Sequence, residues 1–396
     1  MTSANTALWL TSRRGTFRVG PAPHPTPGPG EVVVEAHAVA LNPVDAVPAV
    51  ARAFVYPWLR HPAVLGTDVA GVVVSVGPAE PSGPRHLEVG DRVVGFASGQ
   101  ERFRNDPAYG AFQRFVVLAA DLTARVPDDV RLVDAAVLPL ALSTAGAGLF
   151  EADQLGLALP GDTVVDRGAT VLVWGASTSV GNNAVQLATA AGYRVVATAG
   201  PQSFARVRGL GAAEVVDYGD ETAVDALVGA LAGHTLAGTV AIGRGSLTAA
   251  LRLARRTEGT RRVASGYPGP VTAVRRLAAR SYGVRVSAIW GGTPAVSPVG
   301  PALFRDFLPA ALADGRLRPA PAAAPRRTPV RSRRYAAWPL RGRARRRPRG
   351  AAPAPEGRAR AQARRRPRGR GRLSRRRHPE RPAPAVSPRR CARGPR

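Results

Sequence analysis

The chain has 396 residues and a formal net charge of +29, but the charge is confined to one end. Residues 322–396 hold 27 Arg against only Glu356 and Glu380, whereas residues 1–321 set 29 Arg against 25 acids, so the body is near neutral and the whole-chain charge misdescribes it. The single Cys, Cys391, excludes an intrachain disulfide and a Cys-based zinc site, and the absence of an apolar leader or any long apolar run argues against a signal peptide and a membrane span, so the expectation is a cytoplasmic protein.

The first third reads as short strands separated by Gly and Pro. "PHPTPGPGEVVVEAHAVAL" is a loop followed by an alternating strand over 31–40. "VLGTDVAGVVVSVGP" (64–78) predicts two strands around a Gly, and "VGDRVVGFA" (89–97) and "GAFQRFVVLAA" (110–120) add more, together a small barrel-like β domain. From Asp128 the spacing turns helical, with Val130, Val133, Val137 and Ala141 on one side and Pro139 kinking or splitting the run.

"ATVLVWGASTSVGNNAVQLATAAGYRVVATAG" (169–200) is an apolar strand, a glycine turn, an amphipathic helix and a second apolar strand. Strands apolar on both faces belong to a buried parallel sheet. The helix–strand rhythm recurs in "FARVRGLGAAEVVDYGD" and "SLTAALRLARRTEGTRRVASGYP", which predicts a doubly wound α/β unit. A strand ("GVRVSAIWGG") and a helix ("FRDFLPAALADGR") follow, and beyond Ala322 no apolar periodicity survives.

In this setting Gly175 and Gly181 form a turn that aims backbone N–H groups and a helix N-terminus at a pyrophosphate. The match to G-x-G-x-x-G is partial: Thr178 and Ser179 stand where a central Gly might be, and their hydroxyls are candidate phosphate ligands. The alternative is a tight turn that only packs helix on strand. The second strand ends "VVATAG" with no acid to receive a ribose 2′-hydroxyl, which favours NADPH over NADH, and Arg206, Arg208 and Tyr218 follow within reach of a 2′-phosphate. A solvated helix face is the alternative for the two arginines.

Several motifs occur in one order: "LNPVD" (41–45), "HPAVLGTDVAGVVVSVG" (61–77), "GDRVVGF" (90–96), "GAFQRFVV" (110–117), "LPLALSTAGAGLF" (138–150), "VLVWGASTSVGNNAVQLATAAGY" (171–193) and "GAAEVVDYGD" (211–220). The set resembles the medium-chain dehydrogenase/reductase superfamily, and within it the zinc-free quinone-reductase and enoyl-reductase branch that includes fungal trans-acting enoyl reductases serving polyketide synthases. The resemblance covers residues 5–321. It implies a GroES-like β domain beginning with residues 1–125, a Rossmann NADP-binding domain (126–284) and a return segment to the β domain (285–321).

It also implies an oxidoreductase that takes NADPH and no zinc, and transfers hydride to an activated C=C bond of a small or carrier-bound enoyl substrate, or to a quinone. By motif, Ser177, Thr178, Ser179, Val180 and Ser203 lie at the phosphates, and Ser143 and Thr144 beside the nicotinamide. Asn42 and Asp45 fall in the active-site loop, with Asx-turn chemistry at Pro43 as the alternative, and the stretches at Ile242–Gly243 and Trp290–Gly291 line the nicotinamide cleft. Tyr56 is a candidate proton donor, with a buried loop tyrosine as the alternative reading.

By the same resemblance, relatives continue past residue 321 with a strand, an amphipathic helix and a final apolar strand that closes the β domain, none of which is expected here. The Arg/Pro/Ala/Gly composition of 322–396, with no Lys in the whole chain, is what GC-rich DNA yields when read out of frame. The expectation is a frame-shifted, disordered tail and an enzyme inactive as written. The rival reading is a basic arm on a degenerate body, binding nucleic acid through its phosphates.

Overall fold

The structure, a computed structural model, describes residues 4–47, 49–78, 87–243, 245–266, 274, 278–320 and 337–338. The N-terminal portion is antiparallel. A three-stranded sheet pairs β1 (Asn5–Leu10) with β2 (Phe17–Ala22) on one side and β4 (Ala63–Val64) on the other. A larger sheet is built on β3 (Glu31–Ala40), which pairs with β5 (Asp68–Val76); β6 (Arg92–Phe96) and β8 (Thr123–Arg125) follow outward, and β7 (Phe115–Ala119) lies on the far side of β3.

The bounds expected for β3 hold, but its burial does not alternate. Only Glu35 and His37 escape full burial. Val32, Val34, Ala36 and Val39 enter one core cluster, Val33 packs with Phe115 and Val117, and Ala38 joins a core shared with the helices. A strand covered on both faces loses the period-2 signature.

The next portion is a six-stranded parallel sheet. In chain order its strands are β9 (Thr170–Trp174), β10 (Arg194–Ala199), β11 (Glu214–Asp217), β12 (Leu236–Ala241), β13 (Arg262–Ser265) and β14 (Arg285–Ala288), arranged β11-β10-β9-β12-β13-β14. That is the doubly wound order, with its topological switch between β9 and β12. The helical run before it splits at the proline, as expected: α2 covers Leu132–Ala135 and α3 Pro139–Phe150, with Pro139 in the first turn, where no N–H is required. The helix after the glycine turn, α4, is Ser179–Ala190, and α5 (Phe204–Gly209) follows β10.

Two expectations change. Residues 285–288 form the sixth strand of the parallel sheet, in register with β13, so the return segment begins after Ala288 and not at 285. The cause is Val286, which joins Val263 and Val284 in a core cluster on that sheet. The return segment runs through helical residues 299–314 packed on α3, where Leu303 fills the space over Gly146, and residues 318–320 are held on α4 by Gln186 and Asn182.

Second, a strand forms inside the stretch expected to be disordered. A two-residue strand β15 (Ala337–Trp338) pairs antiparallel with Val39–Ala40, beyond the stretch of β3 that β7 occupies. An open sheet edge accepts any backbone in register, because ladder bonds carry no side-chain identity. The rest of the expected tail, 322–396, lies outside the described residues.

Candidate active site

The glycine turn follows β9 at the switch point. Gly175 has φ +85°, and a Cβ there would stand 2.5 Å from the carbonyl oxygen of Ile242, which follows β12. A Cβ on Gly181 would strike the carbonyl of Gly175. Both glycines are therefore required by close backbone approach. Thr178 caps α4: its Oγ accepts from the Gly181 N–H at 3.0 Å and donates to the Gly175 carbonyl at 2.9 Å. Its hydroxyl is thus committed to the turn. The N–H groups of Ser177, Ser179 and Val180 have no acceptor among the described residues. These donors at the positive end of a twelve-residue helix suit a pyrophosphate, so the residues present fit a dinucleotide.

Arg206 and Arg208 part company. The Arg206 guanidinium lies across the turn, donating to Asn182 Oδ1 at 2.8 Å, Ser203 Oγ at 3.2 Å and the Ser177 carbonyl at 3.5 Å. Arg208 is exposed and stands over the Phe204 ring. Tyr218, after β11, is half exposed. Gly243 continues from Ile242 with φ +92°, and its carbonyl accepts from Ser246 Oγ at 2.7 Å.

The other end of the site is made of side chains. Asn42 donates its backbone N–H to Asp45 Oδ2 at 2.8 Å and its side-chain amide to Asp68 Oδ2 at 2.9 Å. Asp68 Oδ1 accepts the Leu140 N–H at 2.6 Å, so a residue of β5 holds the first turn of α3. One turn further along α3, Ser143 donates to the Gly291 carbonyl at 2.6 Å, and Thr144 donates to the Leu140 carbonyl at 2.7 Å while facing Gly291 closely enough to forbid a Cβ there. Burial pushes the carboxyl of Asp45 up to about 7, against the pull of the Asn42 and Gly66 N–H groups. Asp68 is likewise raised to about 7, by burial first and then by the neighbouring Asp45 charge.

Tyr56, Trp58 and Trp290 meet edge-on, with ring centroids 5.9–6.3 Å apart. Tyr56 and Trp58 follow helix α1 (Ala49–Val55) in the antiparallel portion, and Trp290 follows β14 in the parallel one. Trp290 Nε1 donates to Glu101 Oε2 at 2.9 Å, tying the two portions together. Glu101 is buried, and that burial raises its pKa. The Tyr56 oxygen accepts from Gln100 Nε2 at 3.0 Å, and its own O–H has no acceptor among the described residues. Burial first, then the Glu101 and Asp45 charges, push the phenol far above its usual pKa, so it stays protonated.

The structure therefore brings Ser143, Thr144 and Trp290–Gly291 together, and joins Asn42 and Asp45 to them through Asp68. Arg208 and Tyr218 make no side-chain hydrogen bond to the turn among the described residues, and both are exposed. Asp68, Gln100, Glu101, Trp58 and Asn182 contact these candidates and were not picked out by sequence reasoning, nor was Thr67, whose Oγ accepts from the Asn42 amide at 3.4 Å. Asp68 left one signal, an acid inside the apolar run "VLGTDVAGVVV"; Gln100 and Glu101 sit in a loop with no local pattern.

An antiparallel β portion and a doubly wound parallel sheet, tied together by Ser143, Asp68 and Glu101, are an architecture that known proteins share. The alcohol dehydrogenase GroES-like domain matches residues 28–128. The dehydrogenase pigH of Monascus ruber is 40% identical over 340 residues, covering 81% of this chain and 91% of that protein. The trans-enoyl reductase tazE of Aspergillus terreus is 39% identical over 233 residues, 58% of this chain and 74% of its own. Among solved structures, a mycobacterial protein in complex with NADPH superposes with a TM-score of 0.56 at 29% identity, covering 80% of this chain and 90% of that one. The chain belongs to the medium-chain dehydrogenase/reductase superfamily. No described helix is long and apolar enough to cross a membrane.

Proposed function

We propose that the chain is an NADPH-dependent, zinc-independent reductase of an activated C=C bond, an enoyl thioester or enone, of the trans-acting kind that works beside a polyketide synthase. The observation that carries the reading is Arg206, held across the glycine turn at the acid-free end of β10. A 2′-phosphate there gains a charge-assisted partner, and β10 itself ends without the acid that would take a ribose 2′-hydroxyl. NADPH, when bound, supplies the hydride.

The chain's own groups do the rest. The Ser177, Ser179 and Val180 N–H groups receive the pyrophosphate. Ser143 and Thr144 fix the Trp290–Gly291 backbone, which would line the nicotinamide site. Asn42 and Asp45 hold the loop opposite, through Asp68. Tyr56, protonated and with an uncommitted O–H, offers a proton to the α-carbon as hydride arrives at the β-carbon. Among the described residues no group of three His, Cys, Asp or Glu is arranged to hold a metal, and the one Cys lies in the tail; both support the zinc-free reading.

The test is fluorescence titration of NADPH and NADH, followed by NADPH oxidation with a crotonyl thioester in the presence of a chelator. Tighter NADPH binding and chelator-insensitive turnover are expected. Equal or tighter NADH binding, or loss of turnover on chelation, refutes the proposal.

A further inference from the structure

Three stretches of the antiparallel portion share one face beside the cleft: residues 11–20, residues 51–62 and the loop 99–105. Their contacts make the face continuous. Arg52 Nη1 donates to the Arg13 carbonyl at 3.1 Å, and Arg13 Nη2 to the Pro57 carbonyl at 3.1 Å. The Arg60 N–H donates to Asn105 Oδ1 at 3.0 Å, and Asn105 Nδ2 to the Trp58 carbonyl at 2.7 Å. The loop also carries Glu101, the partner of Trp290, so this face borders the substrate end of the cleft.

The face is cationic. Arg13, Arg14, Arg60, Arg102 and Arg104 are exposed on it, and its one acid, Glu101, is buried. Arg104 pairs with Glu31 at 3.1 Å; the other four make no ion pair among the described residues. Asp106, at the loop's edge, is turned back to cap the Ala108 N–H. In a body of nearly balanced charge this is a local concentration, and it projects a steering field.

The face is also apolar. Phe54 is 87% exposed and Val19 74%, with Phe17 and Phe103 partly exposed. Aromatic side chains and Arg together are the composition of protein interfaces, and exposed side chains of this size gain from being covered. Charge alone would suit a nucleic acid equally. Exposed Phe54 and Val19 among these arginines favour a folded partner.

We infer that this face docks an acidic carrier protein, which presents its acyl group as a thioester on a tether entering past Trp58 and Trp290. The inference rests on the enoyl-thioester reading above and adds the partner's surface to it. Arg60, Arg102 and Phe54 are docking residues and take no part in the chemistry.

The experiment uses the full chain and two probes, a crotonyl thioester on an acidic bacterial acyl carrier protein and crotonyl N-acetylcysteamine. Carrier binding is read by anisotropy of the labelled carrier at low and physiological salt, independently of turnover. The double variant Arg60→Glu with Arg102→Glu is expected to weaken carrier binding and lower kcat/KM on the carrier substrate about tenfold, with the small thioester changed less than about twofold. Phe54→Ser should weaken the carrier about threefold and leave the salt dependence intact. The Arg-rich tail is the same in every variant, so its contribution cancels.

Unchanged carrier binding in the double variant, equal loss on both substrates, or preferential binding of RNA that the same variants lose would overturn the docking inference. If the wild type reduces neither thioester yet binds the carrier through these arginines, the docking stands and the proposed reaction fails. If it reduces the small thioester but its carrier binding does not depend on the patch, the reaction stands and the docking fails.

Discussion

The two ends of the proposed site, for cofactor and for substrate, are built from different materials. The cofactor end is backbone: two glycines, a helix N-terminus and free N–H groups, all within one strand–turn–helix segment. The substrate end is side chains: Asn42, Asp45, Tyr56, Asp68, Glu101 and Trp290, gathered from five separate segments and held by hydrogen bonds at 2.6–3.0 Å. A backbone site tolerates most side-chain changes and fails when the chain path is blocked. A buried side-chain site fails when one partner is removed and the rest stay desolvated.

The largest effect should come from blocking the backbone. Gly181→Val places a Cβ against the Gly175 carbonyl, so helix and strand must separate, at a cost of about 3 kcal/mol or more. Cofactor binding, followed by fluorescence, should fall beyond detection together with the melting temperature. A variant that binds NADPH normally would break the comparison.

Removing a hub of the side-chain end comes next. Asp68→Ala strips the Leu140 N–H and the Asn42 amide of their buried acceptor, a loss of about 2–4 kcal/mol in chemical denaturation. The same cluster sets a pH dependence. Asp45 and Asp68 are both raised from 3.8 to about 7 in the folded chain, so the folded state binds protons more tightly than the unfolded one. Their contribution is complete below about 4 and is lost as the pH rises towards 7. Denaturation midpoints should therefore fall over that window, and Asp45→Asn should flatten the fall. An unaltered slope would show that the carboxyl is charged in the folded state.

A matched pair of substitutions sharpens the contrast further. Trp290→Ala breaks the tie to Glu101 and opens the aromatic cluster, and should lower kcat/KM for substrate about tenfold with little change in NADPH affinity. Arg206→Ala should do the converse, weakening NADPH by about 1–2 kcal/mol, leaving NADH nearly unchanged and sparing substrate KM. Cross-effects of equal size would mean that the two ends act as one. The smallest effect belongs to Arg208→Ala. Its guanidinium faces solvent and the Phe204 ring, so NADPH affinity should shift by less than about 0.5 kcal/mol.

What the residues determined by themselves is what depends on neighbours in the chain. The parallel strands were legible because burial on both faces leaves continuous apolar runs, and the glycine turn because strand, turn and helix are contiguous. Pro139 marked the start of α3 for the same local reason. Tertiary structure decided everything that joins distant segments. Thr178 became a helix cap with no hydroxyl left for phosphate, and only Arg206 of the two arginines turned to the glycine loop. The strand at 285–288 belongs to the parallel sheet because Val286 is buried with Val263 and Val284 in a core that only the assembled sheet creates. Asp68, Gln100 and Glu101 acquired their roles from groups 72, 44 and 189 positions away in the chain. No local pattern encodes such contacts, because a buried polar side chain is stabilised by the partners the fold brings to it and not by its neighbours in sequence.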